Sequence, residues 1–198
     1  MIIDLSSNNG VVDFVQLSGV DEIFIRSSLG YGDFDKNLNK NATEADAQGH
    51  PVSYYHFAYP HTDPDHEADA AKQANYFVDA IQKLPKFTHL AVDLENFNNH
   101  GGDTTLSPGE YAIWLQSFLD TVEERTGEKC IIYTYADYLN RHLPDNHQFG
   151  EYPLWIANYS HTLSPALPKG WNKYWAWQYS ESGELAGITG HVDLSKTS

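Results

Sequence analysis

The chain has 198 residues, 41% of them apolar and 14% aromatic, which is enough to bury a core and suits one domain, either an α/β layer fold or a small barrel. Twelve Lys and Arg against 27 Asp and Glu leave a formal charge of -15, the wrong sign for nucleic acid or an anionic membrane, so a neutral substrate fits better. No run approaches the roughly 18 apolar residues of a membrane span, no basic-then-apolar leader opens the chain, and Cys130 stands alone, without a partner for an intrachain disulfide or a cysteine zinc site.

Short apolar runs alternate with longer polar or amphipathic stretches along the chain. "MIID" (1–4), "EIFIRS" (22–27) and "VSYYHFA" (52–58) are the first candidate strands. "HTDPDHEAD" (61–69) has the residue types of a metal site, but its acids suit the positive end of a helix dipole, and it is read as a helix N-terminus with no metal. The helix it opens, His66 to Leu84, spaces Ala70, Ala74, Phe77, Ile81 and Leu84 at three and four residues. "HLAVDLE" (89–95) is the fourth strand. Ser107-Pro108-Gly109-Glu110 is then a capping box with proline at the first helical position. Tyr111, Trp114, Leu115, Phe118 and Val122 form the apolar stripe, and Arg125 and Gly127 mark the helix end. "CIIYTY" (130–135), "PLWIANY" (153–159), "YWAWQYS" (174–180) and "HVDLS" (191–195) complete eight candidate strands. The last of them have too little chain between them for full helices, since "SESGELAGITG" is turn-like. The expectation is an α/β fold: one domain spanning 1–198, an irregular TIM-like β/α barrel with about eight strands and fewer than eight helices.

In such a barrel the strand C-terminal ends open onto the face where active sites are built, and residues i and i+2 of a strand share a side. Asp93 and Glu95 therefore both point into the mouth. Asp4 follows "MII" and Asp193 follows "HV"; closure makes the first and last strands neighbours, so four carboxylates meet in one cleft. Each raises its neighbours' pKa, and desolvation raises them further, so one is expected to hold a proton near neutral pH. A protonated acid beside an ionised one is what glycosidic-bond cleavage needs. Among the aromatics on or after strands, Tyr55, Tyr133 and Trp155 are the ones expected to meet a sugar ring, with Gln178 as a further substrate contact. His56 should point the other way by alternation and serve a structural role.

The ordered segments "DLSSNNG", "SYYHFA", "QANYF", "AVDLEN", "TGEKCIIYT", "PLWIANYS", "WAWQYS" and "GHVDLS" resemble the glycoside hydrolase family 25 lysozymes, the Chalaropsis-type muramidases that include many phage endolysins. The resemblance spans nearly the whole chain. It implies an irregular β/α barrel that hydrolyses the β-1,4 bond between N-acetylmuramic acid and N-acetylglucosamine, with Asp4, Asp93, Glu95 and Asp193 at the acidic positions and no cofactor. It also tips the stereochemical outcome toward retention. "FIRSSLGYGDFD" departs from a Lys-containing segment common in the family, and Ser53-Tyr54 stand where Gly-Ala is common; these departures bear on the sugar subsites more than on the chemistry. The implied partner is the peptidoglycan glycan strand, met by a monomeric domain at the bacterial wall with no role for nucleic acid or membrane. Two other readings are a metal-dependent phosphodiesterase, for which the chain supplies no Lys and Arg cluster, and a glycan-binding module without catalysis. The charge of -15 opposes anionic wall polymers, so a less acidic wall-binding region is expected after Ser198.

Overall fold

The computed structural model describes residues 1–62, 65–96, 103–159 and 164–198. Its strands are β1 (Ile2–Leu5), β2 (Glu22–Leu29), β3 (Asp33–Phe34), β4 (Val52–Phe57), β5 (Leu90–Leu94), β6 (Ile131–Thr134), β7 (Leu154–Ala157), β8 (Ala176–Gly183) and β9 (Val192–Thr197). The helices are α1 (Leu38–Ala47), α2 (His66–Ile81), α3 (Pro108–Thr126) and α4 (Ala136–His142). All eight strands expected from the sequence are present. The sheet runs β1, β9, β8, β7, β6, β5, β4, β2 and closes by pairing β2 with β1, while β3 lies outside the ring on the end of β2.

Neighbours are parallel except at β9, which is antiparallel to both β8 and β1. Its direction follows from the short link after β8: a parallel crossover needs a dozen or more residues, and a shorter connection must double back. Asp193 consequently reaches the mouth from near the start of its strand, not from a strand C-terminal end like Asp4 and Asp93.

α3 has the boundaries its sequence marks. Ser107 and Glu110 form the capping box, and Gly127 takes the left-handed conformation (φ 76°) that ends the helix. α2 begins where Asp65 accepts the Ala68 N–H at 2.8 Å, as a helix N-terminus in "HTDPDHEAD" requires; Asp63 and Pro64 lie outside the described residues. It stops at Ile81, short of Leu84, because Pro85 disfavours helical backbone at the residue before it.

Two layers of apolar side chains follow from strand alternation. The outward layer packs the sheet against the helices, with Phe77 of α2 and Trp114 and Phe118 of α3 at its centre. The inward layer is a plug with one residue from each of seven strands: Ile2, Phe24, Tyr55, Ala91, Ile131, Trp155 and Ala176. The two alanines leave room for Trp155 and Phe24, whose rings meet at 4.6 Å. Two residues further toward the mouth on six of these strands come Asp4, Arg26, Phe57, Asp93, Tyr133 and Gln178. The plug is thus the floor on which the polar site stands.

Candidate active site

Above the plug is a cleft of about 190 Å³, lined by Asp4, Ser6, Asn8, Asn9, Arg26, Tyr55, Phe57, Asp93, Glu95, Tyr133, Trp155 and Asp193. All four expected acids and all three expected aromatics border one space. Asp4 and Asp193 are direct cross-strand partners in the β1–β9 pair. A mutual hydrogen bond lets the two share a proton.

Burial raises every member of the set. Asp93 stands well above the usual carboxylate range because of burial and then the charges of Glu95 and Asp4, opposed by the Arg26 guanidinium. Asp4 is also raised, by burial and then the charge of Asp193, opposed by its hydrogen bond from Gln178. Glu95 is pushed up to about 7 by burial, then by the charges of Asp193 and Glu181. The four carboxyls therefore titrate as one coupled cluster. Asp93 Oδ1 is buried without a hydrogen-bond partner. Beyond Glu95, Asn96 donates its amide N–H to Asp103 at 2.9 Å and accepts the Tyr135 hydroxyl at 2.9 Å, which holds the backbone that carries the acid.

Gln178 is 1% exposed and is not part of the cleft wall. Its Oε1 accepts the Tyr133 and Tyr159 hydroxyls at 2.7 and 2.6 Å, and this fixes the amide so that Nε2 donates to Asp4 at 2.9 Å. Placed among the substrate contacts by sequence, it instead orders the groups that line the cleft. Trp155 also spends its polar atom internally, donating to Ser195 at 3.0 Å, and shows the cleft only part of its ring. Sequence reasoning did not single out Arg26, Ser6, Asn8 or Asn9. Arg26 is held by Asp35 at 2.8 Å, and the Ser6 to Asn9 turn is closed by a reciprocal Ser6–Asn9 cap. The signal for the turn was present in "SSNN", whose residue types favour such caps.

A profile of the glycosyl hydrolases family 25 matches residues 3–188. The chain belongs to this family. The match contains Asp4, Asp93 and Glu95, and Asp193 lies just past its end. Among family relatives, Lysozyme M1 of Streptomyces globisporus is 26% identical over 200 residues, covering 98% of this chain and 66% of that protein. The N,O-diacetylmuramidase of Chalaropsis sp is 26% identical over 212 residues, covering 98% of this chain and 95% of that one. The crystal structure of the bacterial lysozyme from Streptomyces coelicolor superposes with a TM-score of 0.86 at 25% identity, covering 98% of this chain and 90% of that one. The chain spans 55% to 66% of the length of three of the curated relatives it matches, Lysozyme M1 included.

Proposed function

We propose that the domain is an N-acetylmuramidase that cleaves the β-1,4 bond between N-acetylmuramic acid and N-acetylglucosamine in bacterial peptidoglycan. The observation that carries this reading is a carboxyl held at about 7, Glu95, two residues from a second buried acid in an aromatic-floored cleft. At neutral pH a good fraction of Glu95 molecules hold the proton that a leaving sugar oxygen must receive, and the same carboxylate, once it has given that proton up, accepts one from the water that completes hydrolysis. Asp93, on the same side of the strand at roughly 6.6 Å between Cα atoms, is the group nearest the opposite role. As a cleft-lining carboxyl it would orient the substrate's N-acetyl group, which attacks the anomeric carbon from within the substrate; alternatively Asp93 attacks directly. Either route gives retention of configuration. Asp4 and Asp193, sharing a proton and tied to Gln178, set the field around Glu95 and direct water or the sugar. Tyr55, Tyr133 and the exposed part of Trp155 border the space a pyranose ring would fill.

In this reading the domain works as a monomer on the glycan strand, at the bacterial wall, within a longer protein whose wall-binding region is less acidic. Among the described residues no helix is long and apolar enough to cross a membrane. The deciding experiment is digestion of purified peptidoglycan followed by analysis of the new reducing ends. The reading requires N-acetylmuramic acid at those ends and a first-formed β anomer by NMR. Ends on N-acetylglucosamine would reject the bond assignment, and an initial α anomer would reject retention.

A further inference from the structure

One side of the cleft continues into an exposed aromatic surface that the chemistry above does not use. Leu29, the last residue of β2, pairs with cleft-lining Phe57, and the Gly30 N–H donates to the Phe57 carbonyl at 2.9 Å. Gly30 has a φ of 48°, and a Cβ there would meet the Tyr59 ring at 2.5 Å, so the chain turns tightly over Tyr59 before it leaves the rim. Beyond the turn Tyr31 is 57% exposed and, on β3, Phe34 is 53% exposed. Phe34 lies parallel to Tyr76 of α2, with centroids 4.2 Å apart and planes at 8°. Tyr31 tilts against the same Tyr76 ring at 5.2 Å, and the Lys72 ammonium sits 3.7 Å above Tyr31.

Leaving a large apolar side chain in water forgoes about 1.5–3 kcal/mol of burial, and a soluble surface normally scatters such residues singly. Here three rings are gathered, and helix α2 holds them rigid. Rings braced against one another suit the C–H face of a pyranose ring, because little side-chain freedom is lost when the ring lands. Exposed Asp33 beside Phe34 supplies an acceptor for sugar hydroxyls. Lys72 sets one positive charge among the rings of a chain at -15 overall, which favours anionic groups carried by the wall. Phe34 pairs with Ser28, whose hydroxyl turns toward His56 on the helix side of the sheet, so this surface faces the flank of the barrel and not the reacting sugars.

We infer that Tyr31, Phe34, Tyr76 and Lys72 form a second glycan-holding site on the flank of the domain, which grips sugar rings of the wall next to the strand being cut. The substrate class rests on the muramidase reading of the cleft. The site itself makes and breaks no bond. It keeps the domain on insoluble wall between cuts.

The test compares the wild type with the Tyr31→Ala, Phe34→Ala double variant in three measurements: co-sedimentation with insoluble purified peptidoglycan, reducing ends released from that material, and reducing ends released from soluble glycan fragments made from it. The double variant should lose roughly threefold to tenfold in sedimentation and in rate on the insoluble wall, as expected for one lost stacking contact. Its rate on soluble fragments should stay at the wild-type level. Tyr31→Phe, which keeps the ring, should behave as wild type on all three and shows that the fold tolerates change here. Unchanged sedimentation in the double variant would overturn the site. So would an equal loss on soluble and insoluble substrates, because the rings would then serve the cleft. A wild type that self-associates in ultracentrifugation, with the double variant monomeric, would make the surface a contact between copies and likewise overturn the proposal. If the wild type released no reducing ends from either substrate, the muramidase reading would fall, and sedimentation alone would decide whether the flank holds glycan.

Discussion

The two faces of β4 and β5 treat buried polarity in opposite ways. On the helix side, His56 is fully buried and fully partnered: Gln73 Oε1 already accepts the Tyr59 N–H at 3.1 Å, so His56 Nε2 must donate to it, and Nδ1 accepts the Ser28 hydroxyl at 2.9 Å. Burial holds that imidazole at about 4, neutral at physiological pH. Asp69 in the same network is raised by burial, but one of its oxygens accepts the indole N–H of Trp114, the Gln73 amide and the His61 N–H, and these pull it back. One residue away in the strand direction the inward face carries Asp93, with an oxygen that accepts nothing and three other acids around it. Outward polarity is satisfied by the protein itself. Inward polarity is left unsatisfied, which lowers stability but leaves the site ready for a ligand.

The hardest blow to this contrast is aimed at the inward face. Glu95→Gln keeps the shape and removes the proton, and the rate of reducing-end release should fall at least about 100-fold while the circular dichroism spectrum stays unchanged; a variant with most of its activity would remove Glu95 from the acid role. On the outward face, Gln73→Leu strands the His56 and Tyr59 N–H groups, and urea unfolding should show a loss of about 2–4 kcal/mol. Asp93→Asn should do the reverse and raise the melting temperature by about 2–4 °C at pH 7, equivalent to about 1 kcal/mol in a chain of this size. A destabilised Asp93→Asn would mean that the carboxyl has partners and that the two faces do not differ.

A smaller effect follows from pH. Because folding raises Glu95, its charged form is penalised in the native state: the cost is absent below the unfolded value near 4.3, grows as pH rises, and levels off above about 7. The stability gain of Glu95→Gln over wild type should open across that window and be nil at pH 4. The smallest expected effect concerns the net charge of -15: lysis by the isolated domain should improve as salt rises toward about 0.1–0.2 M, where surface charges are screened. Lysis strongest in the lowest salt would mean that repulsion does not limit encounter.

How legible each part was depended on how much of the physics is local. Strands could be read because each is a short apolar run bounded by polar chain, and α3 because its caps are written in its own residues. α1 was missed because its buried face is Leu38, Asn41, Ala42 and Ala45, too small and polar to stand out, and Asn37 makes no side-chain cap. α4 is seven residues long, too short for a period to show. The acids were legible as a set from strand ends and closure. Not everything that raises Glu95 was legible: Asp93, two residues away, was the expected neighbour, but Asp193 and Glu181 also push it up, brought in by β9 and β8. The hydrogen bonds of Gln178 were hidden for a similar reason, since only the packing of Tyr133 and Tyr159 around it shows which way its amide faces.

The β1–β9 pair has a consequence for assembly. Asp4 and Asp193 sit opposite each other, yet 189 residues of chain separate them in sequence, so their pairing is among the most distant contacts the fold contains. Contacts of that separation are entropically expensive to form early and tend to be slow. A nascent or refolding chain can complete the floor of the barrel from β2 through β8 and still lack one acid and the shared proton, because the seam is stitched by the last strand to be made. Catalysis then switches on as a single late event, which makes the appearance of activity during refolding a clock for closure of the ring.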